Sequence, residues 1–203
     1  MNAYGVVLES GAVRFERLLP GPVERVWSYL TESEKRGLWL ASGVFDLRAG
    51  GTAEMLFKHS EITDEAPPEA YREVHENGVR STSTITRCEP PRVIAFTWGG
   101  DGEPESEVEF ELVPKGEKVL LVLTHRKLTS KAEMTSVSGG WHLHLGLLED
   151  LLTGSPRRGF WSRLKVLDAE YAARYADLPE PGQVCRENRP VIPDKPQSRR
   201  DPE

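Results

Sequence analysis

Two periodicities, in a fixed order, constrain the fold of this chain more than any other feature of its sequence. From Glu105 to Leu112, glutamates alternate with apolar residues, the pattern of a β-strand with one face in solvent. The next segment, Lys118–His125, is apolar at nearly every position, which is typical of a central strand or one covered on both faces. From Lys131 to Leu152 the period becomes helical, and Ser130 and Gly154 supply an N-cap and a C-terminal stop. The sequence therefore predicts strands followed by one long helix.

The remaining segments complete an α+β pattern. Further strands are predicted at Ala12–Leu19, Val44–Leu47, Thr52–His59, Val79–Cys88 and Arg92–Trp98. Two short helices, Pro22–Thr31 and Glu32–Leu40, follow the first strand. The long helix carries one apolar stripe, formed by Met134, Val137, Trp141, Leu145, Leu148 and Leu152. We expect a curved antiparallel sheet of about seven strands around this C-terminal helix.

The chain length of 203 residues suits one well-cored domain with a tail. The predicted strands and the long helix place that domain at residues 12–154. Apolar residues recur with helical spacing between Gly159 and Asp177, so residues 155–178 are predicted to form a helical extension packed on the domain. Residues 179–203 are rich in proline and scattered charges, and we predict a disordered tail there.

Charge and hydropathy exclude several classes of partner. The net charge of −6, without a dense basic stripe, predicts no nucleic-acid binding. No segment approaches the roughly 20 apolar residues of a membrane span, and the N-terminus lacks the basic start and apolar run of a secretory signal. Cys88 and Cys185 lie far apart and are predicted to be free thiols. These features predict a cytoplasmic protein.

Several segments carry a resemblance to a known family. They are Leu18–Trp27, Leu30–Glu32, Trp39–Leu40, Pro90–Trp98, Leu123–Leu128 and Gly139–Leu145. Together they resemble the START-related superfamily, and more narrowly the branch named after the activator of the heat-shock protein 90 ATPase. The resemblance covers roughly residues 13–154 and implies the helix-grip fold, which encloses a mainly apolar cavity. Members of this superfamily include ligand carriers, cyclases and many proteins with no known activity, so the resemblance implies a shape more than a task.

Two regions depart from that pattern, and both are expected to reshape the mouth of the cavity. One is the long acidic segment from Ser60 to Gly78, which is interpreted as a solvated loop or, alternatively, as a lid that discourages anionic ligands. The other is the extension after Leu152.

Histidines are the main candidates for chemistry. His59 and His125 are placed on inward strand faces by parity, and His125 is assigned either to the cavity or to a structural bond with the loop before the long helix. His142 and His144 lie about 200° apart on the helix, so His144 is the cavity candidate and His142 is predicted to be solvated. A metal site of His59, His125 and His144 is conceivable, but these residues come from separate elements. No carboxylate is obviously placed to bind and orient their imidazole rings. We therefore expect neither metal nor cofactor.

Trp39, Trp98 and Trp141 can either line the cavity or fill the core, because the same faces of this fold do both. The predicted ligand-binding residues are Trp39, Phe57, His59, Trp98, His125, Trp141, His144, Leu145 and Leu148.

Three functions follow from these observations. The first is a non-catalytic protein that binds a small hydrophobic or aromatic ligand between the long helix and the sheet. The second, implied by the family name, is a chaperone-associated regulator in the stress response. The third is an enzyme of the cyclase or hydrolase kind that uses His125 or His144 as acid or base. The sequence carries no phosphate-binding loop, nucleophile elbow or paired-cysteine motif, which favours the first. Phe160, Trp161, Leu164 and Tyr171 also allow a protein partner or a homodimer, although packing on their own domain is the simpler interpretation.

Overall fold

Seven antiparallel strands form one sheet in the order β1-β2-β7-β6-β5-β4-β3, in a computed structural model that describes residues 3–9, 11–99 and 106–181. The strands are β1 (Val6–Glu9), β2 (Ala12–Pro20), β3 (Thr52–Phe57), β4 (Val79–Glu89), β5 (Val93–Trp98), β6 (Ser106–Lys115) and β7 (Lys118–Arg126). The helices are α1 (Val23–Thr31), α2 (Ser33–Gly37), α3 (Arg72–Asn77), α4 (Lys131–Thr153) and α5 (Trp161–Tyr175). The predicted α+β helix-grip architecture is confirmed.

The long helix α4 begins and ends where its capping residues predict. The Ser130 hydroxyl accepts a hydrogen bond from the backbone N–H of Glu133 at 3.1 Å. Gly154 adopts a left-handed conformation with φ of 71°, which terminates the helix without the steric strain that a side chain would add. Helix α4 packs against β2 on one side and against α5 on another.

The predicted and the observed strands differ in two places. β1 was not predicted, because its apolar residues Val6 and Leu8 are 53% and 50% exposed and so give no inward alternation. The prediction of a strand at Val44–Leu47 is wrong: this segment makes only isolated bridges, Ser42 with Leu56 and Phe45 with Ala53. The reason lies at Gly43, whose φ of 123° breaks the extended backbone.

Arg36 accounts for the irregular path after α2. Its guanidinium is almost fully buried and donates hydrogen bonds to the carbonyl oxygens of Thr31, Ala41 and Gly43. It also lies 3.6 Å from the centre of the Phe45 ring. The Gly43 carbonyl is therefore bound to a side chain instead of to a neighbouring strand. Helix α2 ends at Gly37, whereas the sequence predicted an end at Leu40. The chain turns here so that the Ala41 and Gly43 carbonyls reach the Arg36 guanidinium.

The acidic segment after β3 is more ordered than a solvated loop. β3 ends at Phe57, and a short 3₁₀ helix, His59–Glu61, follows it. A second 3₁₀ helix at Glu69–Tyr71 leads into α3. Parity along the strand therefore does not apply to His59, which the 3₁₀ turn orients instead.

Helix α5 packs on the domain through buried tyrosines. The Tyr171 hydroxyl accepts a hydrogen bond from the Gly5 backbone N–H at 2.7 Å, and the Tyr175 hydroxyl lies 3.0 Å from Ser138 Oγ on α4. α5 thereby connects the N-terminal segment to the long helix.

The predicted turn and strand start at residues 100–105, Cys185, and the predicted tail beyond Pro181 lie outside the described residues. None of the described helices combines the length and the hydropathy that a membrane crossing requires.

Candidate ligand-binding site

An apolar cleft of about 250 Å³ lies between α4 and the ends of β3 and β5. We call it the tryptophan cleft; its lining residues are Leu40, Phe57, Trp98, Ser136, Val137, Gly140, Trp141 and His144. Trp98 lies at the end of β5, with its ring centre 4.9 Å from that of Trp141 and 5.7 Å from that of Phe57. Gly140 leaves open space in the lining of this cleft, since a Cβ built there meets no atom within 4 Å.

A chain of hydrogen bonds fixes the two tryptophans of this cleft. The Trp141 indole N–H donates to His125 Nδ1 at 3.0 Å, so the His125 proton is on Nε2, which lies 2.8 Å from Ser106 Oγ. The Ser106 hydroxyl donates to the Trp98 carbonyl at 2.8 Å. Burial lowers the pKa of His125 to about 4, so its ring is neutral at pH 7.

His125 is 0% exposed and therefore supports the cleft from behind. The predicted bond to the loop before α4 is not the one that forms: His125 is bound by Trp141 on α4 and by Ser106 on β6. Ser106 is 19 residues away from His125 in the sequence and lies on the neighbouring strand β6, so the spacing of residues along one strand could not indicate this bond.

His144 lines the cleft with one ring nitrogen still available. Its Nδ1 faces the Trp39 carbonyl, which can only accept, so Nδ1 carries the proton and Nε2 holds a lone pair. Among the described residues Nε2 has no hydrogen-bond partner, and it is not shielded from solvent. Burial lowers the pKa of His144 to about 4, which keeps the ring neutral. His144 is therefore a hydrogen-bond acceptor within the cleft.

His142 is not solvated as predicted. It is 5% exposed, and its Nδ1 lies 3.1 Å from the Tyr171 hydroxyl. Helix α5 and the N-terminal segment cover this face of α4, and the Tyr4 ring lies 4.9 Å from the His142 ring. Burial is the main reason why the pKa of His142 is lowered to about 4.

A second cleft, of about 160 Å³, adjoins the first. We call it the histidine cleft; its lining residues are His59, Tyr71, Ser136, Gly140, Leu143, His144, Phe160, Trp161, Leu164 and Asp168. Ser136, Gly140 and His144 line both clefts. The His59 ring lies 4.9 Å from both Phe160 and Trp161, so the acidic segment and the start of α5 meet here.

Glu65 anchors the acidic segment to α5. Its carboxylate accepts hydrogen bonds from the Ser162 backbone N–H at 3.0 Å and from the Ser162 hydroxyl at 2.8 Å. These bonds lower the pKa of Glu65. Arg157 Nη1 also donates to the Ile62 carbonyl at 3.1 Å. The first part of the segment is thus fixed to the start of α5 and to the residues that precede it.

The predicted site residues divide into two groups. Phe57, Trp98, Trp141 and His144 line the tryptophan cleft, and His59 and His144 line the histidine cleft. Trp39, His125, Leu145 and Leu148 are fully buried behind these walls and line neither cleft.

Sequence reasoning missed Gly140, Tyr71 and Asp168 as lining residues. Phe160 and Trp161 were assigned to packing on the domain or, alternatively, to contact with a partner or a second subunit, and not to a cleft. For Tyr71, Phe160, Trp161 and Asp168, the sequence signal was that the acidic segment and the extension depart from the family pattern.

His59, His125 and His144 do not form the metal site that the sequence left conceivable, since both His125 nitrogens already make hydrogen bonds. In the part of the chain that the structure describes, no three histidine, cysteine or acidic side chains are placed to hold a metal ion. Two larger grooves, of about 500 and 520 Å³, lie elsewhere on the surface. The first is lined by Ser60–Glu65 and Arg157–Gly159, whose polar and charged groups suit water better than an apolar ligand.

Comparisons with known proteins agree with this fold. A sequence model of the family described as activator of Hsp90 ATPase homolog 1-like protein matches residues 20–153. A solution structure of a Bordetella parapertussis protein is 45% identical, covers 85% of this chain and 91% of its own, and has a TM-score of 0.74.

More distant structures share the architecture. The crystal structure of CalU16 from Micromonospora echinospora is 26% identical, with 80% of this chain and 86% of that chain covered and a TM-score of 0.58. A conserved protein of unknown function from Enterococcus faecalis is 17% identical, with 87% and 91% covered and a TM-score of 0.60, which shows the fold alone. A comparison with curated proteins finds no match. The chain belongs to the family of activator of Hsp90 ATPase homolog 1-like proteins, as its opening segment, middle strand and long helix predict.

Proposed function

We propose that this protein binds a small, uncharged hydrophobic or aromatic ligand in the tryptophan cleft. The observation that carries the proposal is an apolar cleft whose lining combines the rings of Phe57, Trp98 and Trp141 with the bare backbone of Gly140. Aromatic side chains bind planar ligands through apolar burial and through stacked or edge contacts, each worth about 0.5–1.5 kcal/mol beyond burial. The bare helix backbone leaves room for such a ring.

The volume of the cleft limits the size of the ligand. Protein interiors pack at a density of about 0.75, so a space of about 250 Å³ suits roughly two fused rings. Burial of such a ligand contributes about 25 cal/mol for each Å² of apolar surface removed from water. A ligand of this size fills the cleft without displacement of the buried core.

The charges around the cleft favour a neutral ligand. His144 is the one titratable residue among those that line it, and burial keeps its ring neutral. An anion therefore finds no cation to pair with, and a buried unpaired charge is strongly unfavourable. Binding is favoured over catalysis because His125, the other candidate acid or base, is fully buried and bonded at both nitrogens.

Native mass spectrometry of protein purified from its own host, compared with the same sample denatured, tests whether a small molecule is bound. A stoichiometric adduct of a small, neutral hydrophobic or aromatic molecule is the expected result. In parallel, the affinity of the recombinant protein for 2-methylnaphthalene is measured by calorimetry.

Gly140→Leu is expected to abolish both kinds of binding, because its side chain extends into open space in the cleft. Ala132→Leu is the matched control, since Ala132 is exposed on the same helix and lines neither cleft. Unchanged affinity in the Gly140→Leu protein would contradict the proposal.

A further inference from the structure

We infer that the histidine cleft is the polar half of the same ligand site, and that it selects a ligand whose aromatic ring carries a neutral hydroxyl group. This inference rests on the proposed function and adds the chemical class of the ligand. It places the ring in the tryptophan cleft and the hydroxyl between His144 and Trp161.

Two buried polar atoms of residues that line the histidine cleft have no hydrogen-bond partner among the described residues. Trp161 is 5% exposed, and its indole Nε1 has no hydrogen-bond partner within the described residues. His59 Nδ1 is likewise buried without a partner in that part of the chain. Both residues line the histidine cleft. Buried polar groups in folded proteins are nearly always paired, so an unpaired donor beside a cleft calls for a partner from beyond the described residues, which a bound ligand can supply.

The tryptophan cleft and the histidine cleft are continuous with each other. Ser136, Gly140 and His144 line both of them, on one face of α4. Because Gly140 has no side chain, no Cβ separates the two spaces at that point. A planar ligand can therefore extend from the tryptophans to the histidines.

Trp161 Nε1 and His144 Nε2 need partners of opposite kinds. The Trp161 N–H can only donate, so it requires an acceptor on the ligand. His144 Nε2 holds a lone pair, because Nδ1 carries the proton that faces the Trp39 carbonyl, so it requires a donor. A hydroxyl group supplies both a lone pair and a proton.

Charged alternatives satisfy only one of these two partners. A carboxylate has no proton for His144 and faces the carboxyl group of Asp168, which lines the same cleft. An ammonium group has protons for His144 but no lone pair for Trp161. A neutral phenol therefore fits where either ion does not.

The ring cluster around Trp161 closes this half of the site. Tyr71 lies 5.1 Å and His75 lies 5.9 Å from the Trp161 ring, both contributed by the acidic segment. On the Trp161 side, where the indole nitrogen is buried, a bound hydroxyl is screened from water, which strengthens the hydrogen bond that it accepts.

The test compares 2-naphthol with 2-methylnaphthalene, which have the same rings and differ in one polar group. We expect the wild-type protein to bind 2-naphthol about five- to tenfold more tightly, as one net hydrogen bond provides. Trp161→Phe removes the N–H and is expected to reduce that preference to within about twofold, with the affinity for 2-methylnaphthalene nearly unchanged. In the wild-type ¹H–¹⁵N spectrum, the Trp161 indole resonance should shift with 2-naphthol and not with 2-methylnaphthalene.

The outcomes separate this inference from the proposed function. Equal affinity for the two probes in the wild-type protein, or an equal loss for both in Trp161→Phe, overturns the inference and leaves the tryptophan cleft as the site. Failure of both probes to bind overturns the proposed function itself. If Trp161→Phe does not fold, the wild-type indole resonance decides the question: a shift with 2-naphthol alone supports the inference, and no shift or an equal shift with both probes overturns it.

Discussion

Two neighbouring glycines in the middle of α4 are expected to respond in opposite ways to the same substitution. Gly139 and Gly140 are about 100° apart around the helix axis. A Cβ at Gly140 meets no atom within 4 Å, whereas a Cβ at Gly139 overlaps Asp168 Oδ1 on α5. Replacement of a mid-helix glycine by alanine stabilises a helix by about 1 kcal/mol where space allows. Gly140→Ala is thus expected to raise the free energy of unfolding by about that amount.

Gly139→Ala makes the same change in helix propensity, but Asp168 must turn away or α5 must move. Overpacking of this kind costs about 1–3 kcal/mol, which removes the gain or reverses it. We therefore expect the two variants to differ by roughly 1–3 kcal/mol in the free energy of unfolding. For a domain of this size, each kcal/mol corresponds to about 2–4 °C in Tm.

Urea and thermal unfolding, followed by circular dichroism, measure this difference. The slope of unfolding free energy against urea should be the same in both variants, because the exposed surface does not change. Equal shifts in the two variants, or a larger gain in Gly139→Ala, would refute the assignment of Gly140 to open space. The Gly140→Ala protein should also bind 2-naphthol more weakly, because its methyl group takes up volume that the two clefts share.

Two further predictions concern the buried core. His125→Leu should lower the free energy of unfolding by about 2 kcal/mol at pH 7, since Trp141 and Ser106 lose a buried partner. Because burial lowers the pKa of His125 from 6.5 to about 4, the unfolded chain takes up the proton first on acidification. Wild-type stability should thus fall from pH 6.5 toward pH 4, with a slope of up to about 1.4 kcal/mol per pH unit from this residue, and urea midpoints in the His125→Leu protein should lack that component. Arg36→Lys should cost about 3 kcal/mol in urea unfolding, because an ammonium group cannot reproduce the planar guanidinium that binds three backbone carbonyls; a cost below 1 kcal/mol would contradict the role given to Arg36.

The sequence was sufficient for the architecture because its strongest signals are local. Alternation along β6 and the capped stripe of α4 depend only on nearby residues, and the structure confirms both. β1 escaped prediction because Val6 and Leu8 are exposed, so that its run of apolar residues shows no alternation. The segment at Val44–Leu47 has a strand-like composition, yet Val44 is 67% exposed and the backbone is diverted at Gly43.

The candidate site depends on contacts that no local pattern contains. The wheel of α4 separates the faces of His142 and His144 correctly, but it cannot show that α5 covers the first of them. The partner of His125 comes from β6, and the partner of Trp161 is absent from the described part of the chain. Parity and periodicity assign directions to side chains, whereas the function of a cleft depends on which segments meet there.

The Tyr171 hydroxyl, which joins the Gly5 backbone to His142, makes two distant parts of the chain interdependent. Residues 3–9 and α5 both lie outside the segment that the family model matches, residues 20–153. Tyr4 also contacts this helix, with its hydroxyl 2.8 Å from Glu170 and its ring 3.6 Å from the Arg174 guanidinium. Removal of either segment alone is expected to weaken the attachment of the other, since each loses the hydrogen bonds that the other provides. Residues 3–9 and α5 pack on each other and on the domain, and they are expected to unfold locally as a single cooperative unit.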